Sequence, residues 1–175
     1  MSKRKLLSLE LGRMSAEAFR ALPEGPVAVV LDNIRSAHNV GSVLRTCDAL
    51  RIGRVCLCGI CAVPPSPEIH KSALGAEETV SWKHFDDTLD AVRRLRDEGY
   101  TLIAVEQTVE SVPLDRFVRE DGRKYALVFG NEVDGVRQDV VDACEMALEI
   151  PQWGTKHSFN VSVAAGIVLW HFRPA

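Results

Sequence analysis

"VAVVLDNIRSAHNVGSVLRT", residues 27–46, changes character halfway. Val27–Leu31 is a short apolar run with β-branched residues, the pattern of a buried strand. Asp32, Asn33, Arg35, Ser36, His38 and Asn39 follow at once. From Asn39 to Leu50 the residues Val40, Val43, Leu44 and Cys47 recur on one helical stripe. A strand, a polar loop and a helix in that order open a βαβ unit. So many hydrogen-bonding groups at a strand's carboxyl end make either a solvated turn or a site, and the rest of the chain separates the two.

Outward from this stretch the same alternation repeats. Strands are expected at Val55–Cys58, Tyr100–Val105, Tyr125–Phe129 and Ala147–Ile150, the last ended by Pro151. A helix is expected over Asp86–Glu98, capped by Asp86 or Asp87, with Leu89, Val92 and Leu95 on its stripe and Gly99 at its end. Shorter helices are expected from Glu68 and over Arg137–Cys144, after a proline-rich loop beginning at Cys61. Ser158–Phe172 is valine-rich, but its length and the spacing of Val161, Ala164, Ala165, Val168 and Phe172 favour a helix. Ser158 is the natural N-cap there, which leaves Asn160 inside the first turn, where it is a poor helix former. Ala164, Ala165 and Gly166 would let another backbone approach. Strands alternating with helices give an α/β fold with a mostly parallel sheet. Residues 1–26 form a basic, partly helical extension ahead of a domain over 27–175.

Three strands run straight into unusual polar loops: "VAVVL" into "DNIRSAHN", "YALVF" into "GNEVDG", and "ALEI" into "PQWGTKHSFN". Ligands of open parallel sheets sit outside the carboxyl ends of strands, so three such loops point to one common site.

Composition excludes several classes. With 46% hydrophobic and 26% charged residues the chain reads as a soluble domain, and no apolar run approaches the roughly 20 residues of a membrane span. "MSKRKLLSLELGRM" lacks the apolar core and cleavage site of a signal peptide, so a cytoplasmic protein is expected. A net charge of −3 is unusual for a nucleic-acid binder, but binding depends on local patches. Lys3, Arg4, Lys5 and Arg13 cluster at the start, and Arg35, Arg45, Arg51 and Arg54 flank the opening stretch. Five cysteines without a signal suggest reduced thiols. "CLCGIC" brings three sulfurs together, but a structural zinc site wants a second separated pair, so no metal is expected. In "FGNEVDGV", Gly130 and Gly135 serve either a turn with positive φ or close approach of a ligand. Neither a dinucleotide-binding nor a P-loop glycine pattern occurs at a strand–helix junction. His157 beside Ser158 is not a hydrolase pair, since no G-x-S-x-G elbow exists.

Together, "HNVGSVLRT", "LVFGNEVDGV" and "IPQWGTKHSFNVSVAAGI" resemble motifs 1, 2 and 3 of the SpoU/TrmH family of RNA methyltransferases, in the SPOUT superfamily, in order and spacing. The resemblance covers roughly residues 27–173. It implies methyl transfer from S-adenosyl-L-methionine to a ribose 2′-oxygen of RNA, an α/β domain with helices on both faces and a C-terminal trefoil knot, and a homodimer. By position it assigns the cofactor to Val105, Glu106, Gly130, Asn131, Ile150 and Gln152, closed by Ser158 and Phe159. It places Asn39, Arg45, Glu132 and Asn160 on the reaction side. The family assigns removal of the ribose proton to the counterpart of Arg45. A guanidinium is normally fully protonated, so binding of the ribose oxygen and phosphate, with stabilisation of the developing alkoxide, is the physically safer role. Gln152 stands where methionine is frequent and Phe159 where leucine is frequent, and both suit a cofactor wall. With about 26 residues before the first strand, tRNA is expected ahead of rRNA. Lys3, Arg4, Lys5 and Arg13 are expected to act with Arg35 and Arg45 as the phosphate-binding surface. The alternative is a catalytically silent RNA-binding protein of the same fold, against which intact Asn39, Arg45, Glu132, Ser158 and Asn160 argue. A base-methylating relative is disfavoured by motif 1.

Overall fold

A computed structural model of the chain describes residues 3–174. The strands are β1 (Val27–Asp32), β2 (Arg54–Cys58), β3 (Ser81–Phe85), β4 (Tyr100–Val105), β5 (Val112–Pro113), β6 (Lys124–Gly130) and β7 (Met146–Glu149). They form one sheet in the order β3-β2-β1-β6-β4-β7-β5, with every neighbouring pair parallel. The helices are α1 (Ala16–Arg20), α2 (Ala37–Ala49), α3 (Pro67–Ala73), α4 (Thr88–Asp97), α5 (Gln138–Asp142) and α6 (Val161–Phe172).

The period-2 alternation of each strand sorts the core into two layers. Val27, Val29 and Leu31 of β1, with Tyr125, Leu127 and Phe129 of β6, face a layer built by α2, α3 and α6. Ala28, Val30, Ala126 and Val128 face α4 and α5 on the other side. Helices therefore cover both faces, as expected. The stripe Val40, Val43, Leu44 and Cys47 is buried against the sheet. Gly41 lets α2 cross α3 closely: a Cβ there would stand 2.1 Å from the Ser72 hydroxyl and 2.5 Å from the Ile69 carbonyl. The close approach expected at Gly166 is absent within the chain, because a Cβ there meets nothing within 4 Å.

Two strands were not expected. In β3, Trp82, His84 and Phe85 are half-buried while Ser81 and Lys83 are exposed, so this edge strand shows no apolar run. β5 is a two-residue edge piece ending in Pro113, a residue that sheets tolerate at edges. Cys56 and Cys58 share the α4 face of β2, as the i, i+2 spacing implied. Cys61 is used by the fold: its sulfur accepts from the Ile34 amide at 3.1 Å and contacts the Leu31 carbonyl at 3.3 Å. Burial pushes its thiol up to about 11. Among the described residues no helix is long and apolar enough to cross a membrane.

The register fixes where a site can form. Asp32 lies opposite Gly130, and Val105 lies between Phe129 and Leu148. The carboxyl ends of β1, β6, β4 and β7 therefore end level, and their loops meet at one edge of the sheet.

Candidate active site

The polar groups after β1 divide into two sets. Asp32, fully buried, accepts from Thr88 Oγ1 at 2.5 Å, Asn33 Nδ2 at 2.9 Å and the Arg137 amide at 2.9 Å. It ties the end of β1 to α4 and to the far side of the loop after β6. Asn33 adopts φ +57° and accepts from the Ile60 amide at 3.2 Å. These two residues build the scaffold. The second set faces the site. Ser36 caps α2 by accepting from the Asn39 amide at 3.2 Å, a serine-before-helix signal legible in the sequence but not used in placing the helix start. The Arg35 and Ser36 amides and Asn39 Nδ2 all donate to the Glu132 carboxylate, at 3.2, 3.4 and 2.8 Å. Burial opposes ionisation of Glu132, but these hydrogen bonds outweigh it and hold the carboxyl below its ordinary value.

The loop after β6 is a closed hairpin-like turn. Asn131 and Gly135 exchange both backbone hydrogen bonds at 3.1 Å, and Asn131 Oδ1 accepts from the Val133 and Asp134 amides at 2.9 and 3.0 Å. Gly135 has φ +71°. A Cβ on Gly130 would overlap the Gly135 backbone, 1.9 Å from its carbonyl carbon. Both glycines thus serve the loop's own closure. The Asn131 side chain is likewise spent on the turn, although the residue lines the site. The Glu106 carboxylate latches the loop from β4: it accepts from Val136 and Gln107 amides at 3.1 and 2.8 Å, and a Cβ on Gly135 would lie 2.1 Å from it.

The loop after β7 corrects the expected helix start. Asn160, not Ser158, is the N-cap of α6. Its Oδ1 accepts from the Ser162 amide at 2.9 Å and the Ser162 hydroxyl at 2.7 Å, while its Nδ2 donates to Asn39 Oδ1 at 3.2 Å. A residue that looked misplaced inside a helix is the one whose cap geometry turns its amide toward Asn39. An Asn160–Asn39–Glu132 chain results, joining the first turn of α2 to the loops after β6 and β7.

This chain stands at one side of a cavity of about 490 Å³, within the usual range of small-molecule sites. Val105, Glu106, Gly130, Asn131, Glu132, Ile150, Ser158, Phe159 and Asn160 line it, as do Gln107, Asp134, Glu149 and His157, which the sequence reading did not single out. Gln152 is half-buried but does not line it. From Pro151 to Phe159 the chain makes no backbone–backbone hydrogen bond, and of this stretch His157, Ser158 and Phe159 line the cavity. One anchor is Gln107 Nε2, which donates to the His157 carbonyl at 2.7 Å. Four carboxylates line the cavity and, among the described residues, no lysine or arginine does.

Arg45 lies outside the cavity. It is exposed on α2, about 9 Å along the axis from Asn39, with no hydrogen-bond or ion-pair partner among the described residues. It shares the outer stripe of α2 with His38, Ser42 and Ala49. Lys3, Arg4, Lys5, Arg13 and Arg35 are all exposed. Arg4 is engaged: its guanidinium forms a two-pronged pair with Glu10 at 2.8 and 3.0 Å.

A parallel sheet with three converging loops and a carboxylate-lined cavity at its carboxyl edge defines an α/β protein with a candidate ligand site. The SpoU rRNA Methylase family matches residues 26–170, and the chain belongs to that family. It is 35% identical over 157 residues to the 23S rRNA (guanosine-2′-O-)-methyltransferase RlmB of Neisseria meningitidis, covering 90% of this chain and 62% of the relative. It is 30% identical over 156 residues to the tRNA (guanosine(18)-2′-O)-methyltransferase of Thermus thermophilus, covering 82% and 72%. The AdoMet-bound rRNA methyltransferase of Sinorhizobium meliloti superposes with a TM-score of 0.78 at 27% identity, over 87% of this chain and 58% of that one. The chain thus spans about three fifths of the length of the first rRNA-modifying relatives it matches.

Proposed function

We propose that this protein transfers a methyl group from S-adenosylmethionine to a ribose 2′-hydroxyl of RNA. The observation that carries the reading is the Asn160–Asn39–Glu132 chain beside a cavity bordered by free backbone groups. The cavity fits the cofactor on two counts. The peptide groups of Ser158 and Phe159, which make no backbone–backbone hydrogen bond, suit a purine ring, and the carboxylates of Glu106, Glu132, Asp134 and Glu149 suit a cationic ligand. When bound, the cofactor supplies an activated methyl on a sulfonium. Val105, Gly130, Ile150, Ser158 and Phe159 hold it, and the latch at Glu106 keeps the Gly130–Gly135 loop in place.

On the reaction side, Asn39 is held by both neighbours, with Nδ2 on Glu132 and Oδ1 on Asn160. These residues fix the wall against which the ribose is aligned, and alignment is the main requirement of a displacement whose leaving group is already activated. Arg45, exposed and unpaired, would take the phosphate next to that ribose and stabilise the developing alkoxide as the hydroxyl proton passes to water.

tRNA is placed ahead of rRNA as substrate. The chain is 30% identical to the tRNA-modifying relative of Thermus thermophilus and 35% identical to the rRNA-modifying relative of Neisseria meningitidis, so both kinds of RNA enter the test. The protein works as a cytoplasmic homodimer in this reading. Val163, Ile167 and Trp170 are 50%, 38% and 59% exposed on one stripe of α6, an apolar face suited to a second copy. The C-terminal segment is knotted in this reading, supported by contacts of the segment after β4 with both ends of the chain beyond β7. Gln107 holds His157, while Arg119 donates to the Phe172 carbonyl at 2.6 Å and His171 bonds the Phe117 carbonyl at 2.9 Å.

Incubation of the protein with labelled cofactor and either total tRNA or rRNA, followed by nucleoside analysis, tests the reading. A 2′-O-methylated nucleoside is expected, more from tRNA. Cofactor binding without transfer to any RNA would favour the silent RNA-binding alternative. A base-methylated product would overturn the ribose assignment. A monomeric mass under active conditions would overturn the dimer.

A further inference from the structure

Trp153 is 90% exposed in the loop that closes the cavity. Tryptophan is among the residues most buried on average, and an indole left this open is costly unless something covers it. Phe159, six residues on in the same loop, lines the cavity; Trp153 does not. The indole is therefore not part of the cavity wall, although its loop runs into that wall at His157, Ser158 and Phe159. Lys156 and His157 follow at three and four residues, both exposed. Lys156 has no ion-pair partner among the described residues, and the stretch from Pro151 to Asn160 contains no acidic residue.

We infer that Trp153 is a stacking platform for an unpaired base of the substrate RNA beside the methylated nucleotide, with Lys156 and His157 taking that nucleotide's phosphate. The inference rests on the RNA-methylation reading above. An aromatic face next to a cation and a hydrogen-bond donor is a recurrent way for proteins to hold single-stranded RNA, because every base offers a π-face and every nucleotide a phosphate. The loop is suited to this use. Without backbone–backbone hydrogen bonds it can adjust to a base, while the Gln107 bond to the His157 carbonyl keeps the His157 end at the cavity. A second copy of the chain is the rival occupant, but the apolar stripe suited to a partner lies on another element, at Val163, Ile167 and Trp170.

The test compares Trp153→Ala, Trp153→Leu and Trp153→Phe in the full chain, with total tRNA as probe and rRNA in a second series. Four quantities are read: KM for RNA, kcat, cofactor affinity by calorimetry, and quenching of tryptophan fluorescence on RNA addition. Stacking predicts that Trp153→Ala raises KM tenfold or more, a change of about 1.4 kcal/mol. Trp153→Leu, equally apolar but without a π-face, should fail as badly, and Trp153→Phe should restore most of the affinity. Cofactor affinity should stay within twofold. Wild-type fluorescence should fall on RNA addition, and the fall should shrink in Trp153→Phe. Equal weakening of cofactor affinity would make Trp153 a cofactor wall and overturn the inference. So would a changed molecular mass, or an unchanged KM in Trp153→Ala, and in that last case RNA methylation itself would stand. A wild-type protein that neither binds nor methylates either RNA would overturn the inference and the reading beneath it together.

Discussion

Asp32–Asn39 and Pro151–Asn160 meet at the hydrogen bond between Asn39 and Asn160, yet they spend their polar groups in opposite ways. In the first segment nearly every group is committed inside the protein. Asp32 holds three donors, Asn33 holds Ile60, Ser36 caps α2, and the Arg35 and Ser36 amides hold Glu132. In the second segment the backbone forms no bond to other backbone until Asn160 starts α6. Polarity alone does not distinguish scaffold from site, because both segments look equally hydrophilic in sequence. What separates them is whether the groups already have partners. A committed segment should fail by losing stability, and an open one by losing a ligand.

Arg45 offers the sharpest way to break this division, since it follows the committed segment on α2 but is itself unpaired. Arg45→Ala is expected to lower kcat by about 10²–10³, the usual cost of removing one donor to a developing oxyanion, while thermal stability and cofactor affinity stay near wild type. Arg45→Lys should fail too, because a point charge does not reproduce the planar fork. Single-turnover methylation and calorimetric titration check both. Near-normal turnover in Arg45→Ala would remove the residue from the reaction side.

Asp32 should behave in the contrary way. Asp32→Ala leaves the Thr88 hydroxyl and the Arg137 amide unpaired in the interior, which costs about 3 kcal/mol. For a domain of this size that lowers Tm by roughly 6–12 °C. Activity per folded molecule should survive at temperatures where the variant remains folded. If thermal melting shows no change, the committed segment is not the scaffold that its hydrogen bonds describe.

Glu132 sits where the two behaviours join, and pH separates them. A carboxyl held low on folding contributes stability above its unfolded value of about 4.3 and loses that contribution as pH falls through the lower folded value. Melting curves of wild type and Glu132→Gln should therefore run parallel from pH 7 to pH 5. Below about pH 4.3 they should converge as the wild type is protonated, the difference being only about 2 °C because the group is largely exposed. A gap that persists at low pH would mean that the carboxylate's charge is not what holds Asn39 and the two amides.

Local pattern carried the sequence reading as far as it went. Val27–Leu31 and the Val40–Cys47 stripe announce β1 and α2 because burial imposes a period on them, and the three loops announce a site because each follows such a strand. β3 was not legible, since an edge strand with exposed Ser81 and Lys83 has no apolar face to display. The choice between Ser158 and Asn160 as cap was not legible either: both residues cap well, and the decision depends on Asn39, 121 positions away. Gly41 and Gly166 make the same point. Each follows small or apolar neighbours on a helix, but only the three-dimensional crossing of α2 over α3 decides which one needs to lack a Cβ.

The smallest expected effect concerns the arm before β1, where committed and open groups stand side by side. Arg4 is paired with Glu10, whereas Lys3, Lys5 and Arg13 are exposed with no ion-pair partner among the described residues. If these three reach RNA phosphates, each contact releases counterions, and the slope of log affinity against log salt steepens by about 0.7 per contact on single strands. Deleting residues 2–13 should therefore flatten the slope by about 2, weaken tRNA binding several-fold near physiological salt, and leave cofactor affinity untouched. Filter-binding or fluorescence titrations at four salt concentrations read the slopes directly. Identical slopes for full-length and truncated protein would leave the arm with no part in phosphate binding.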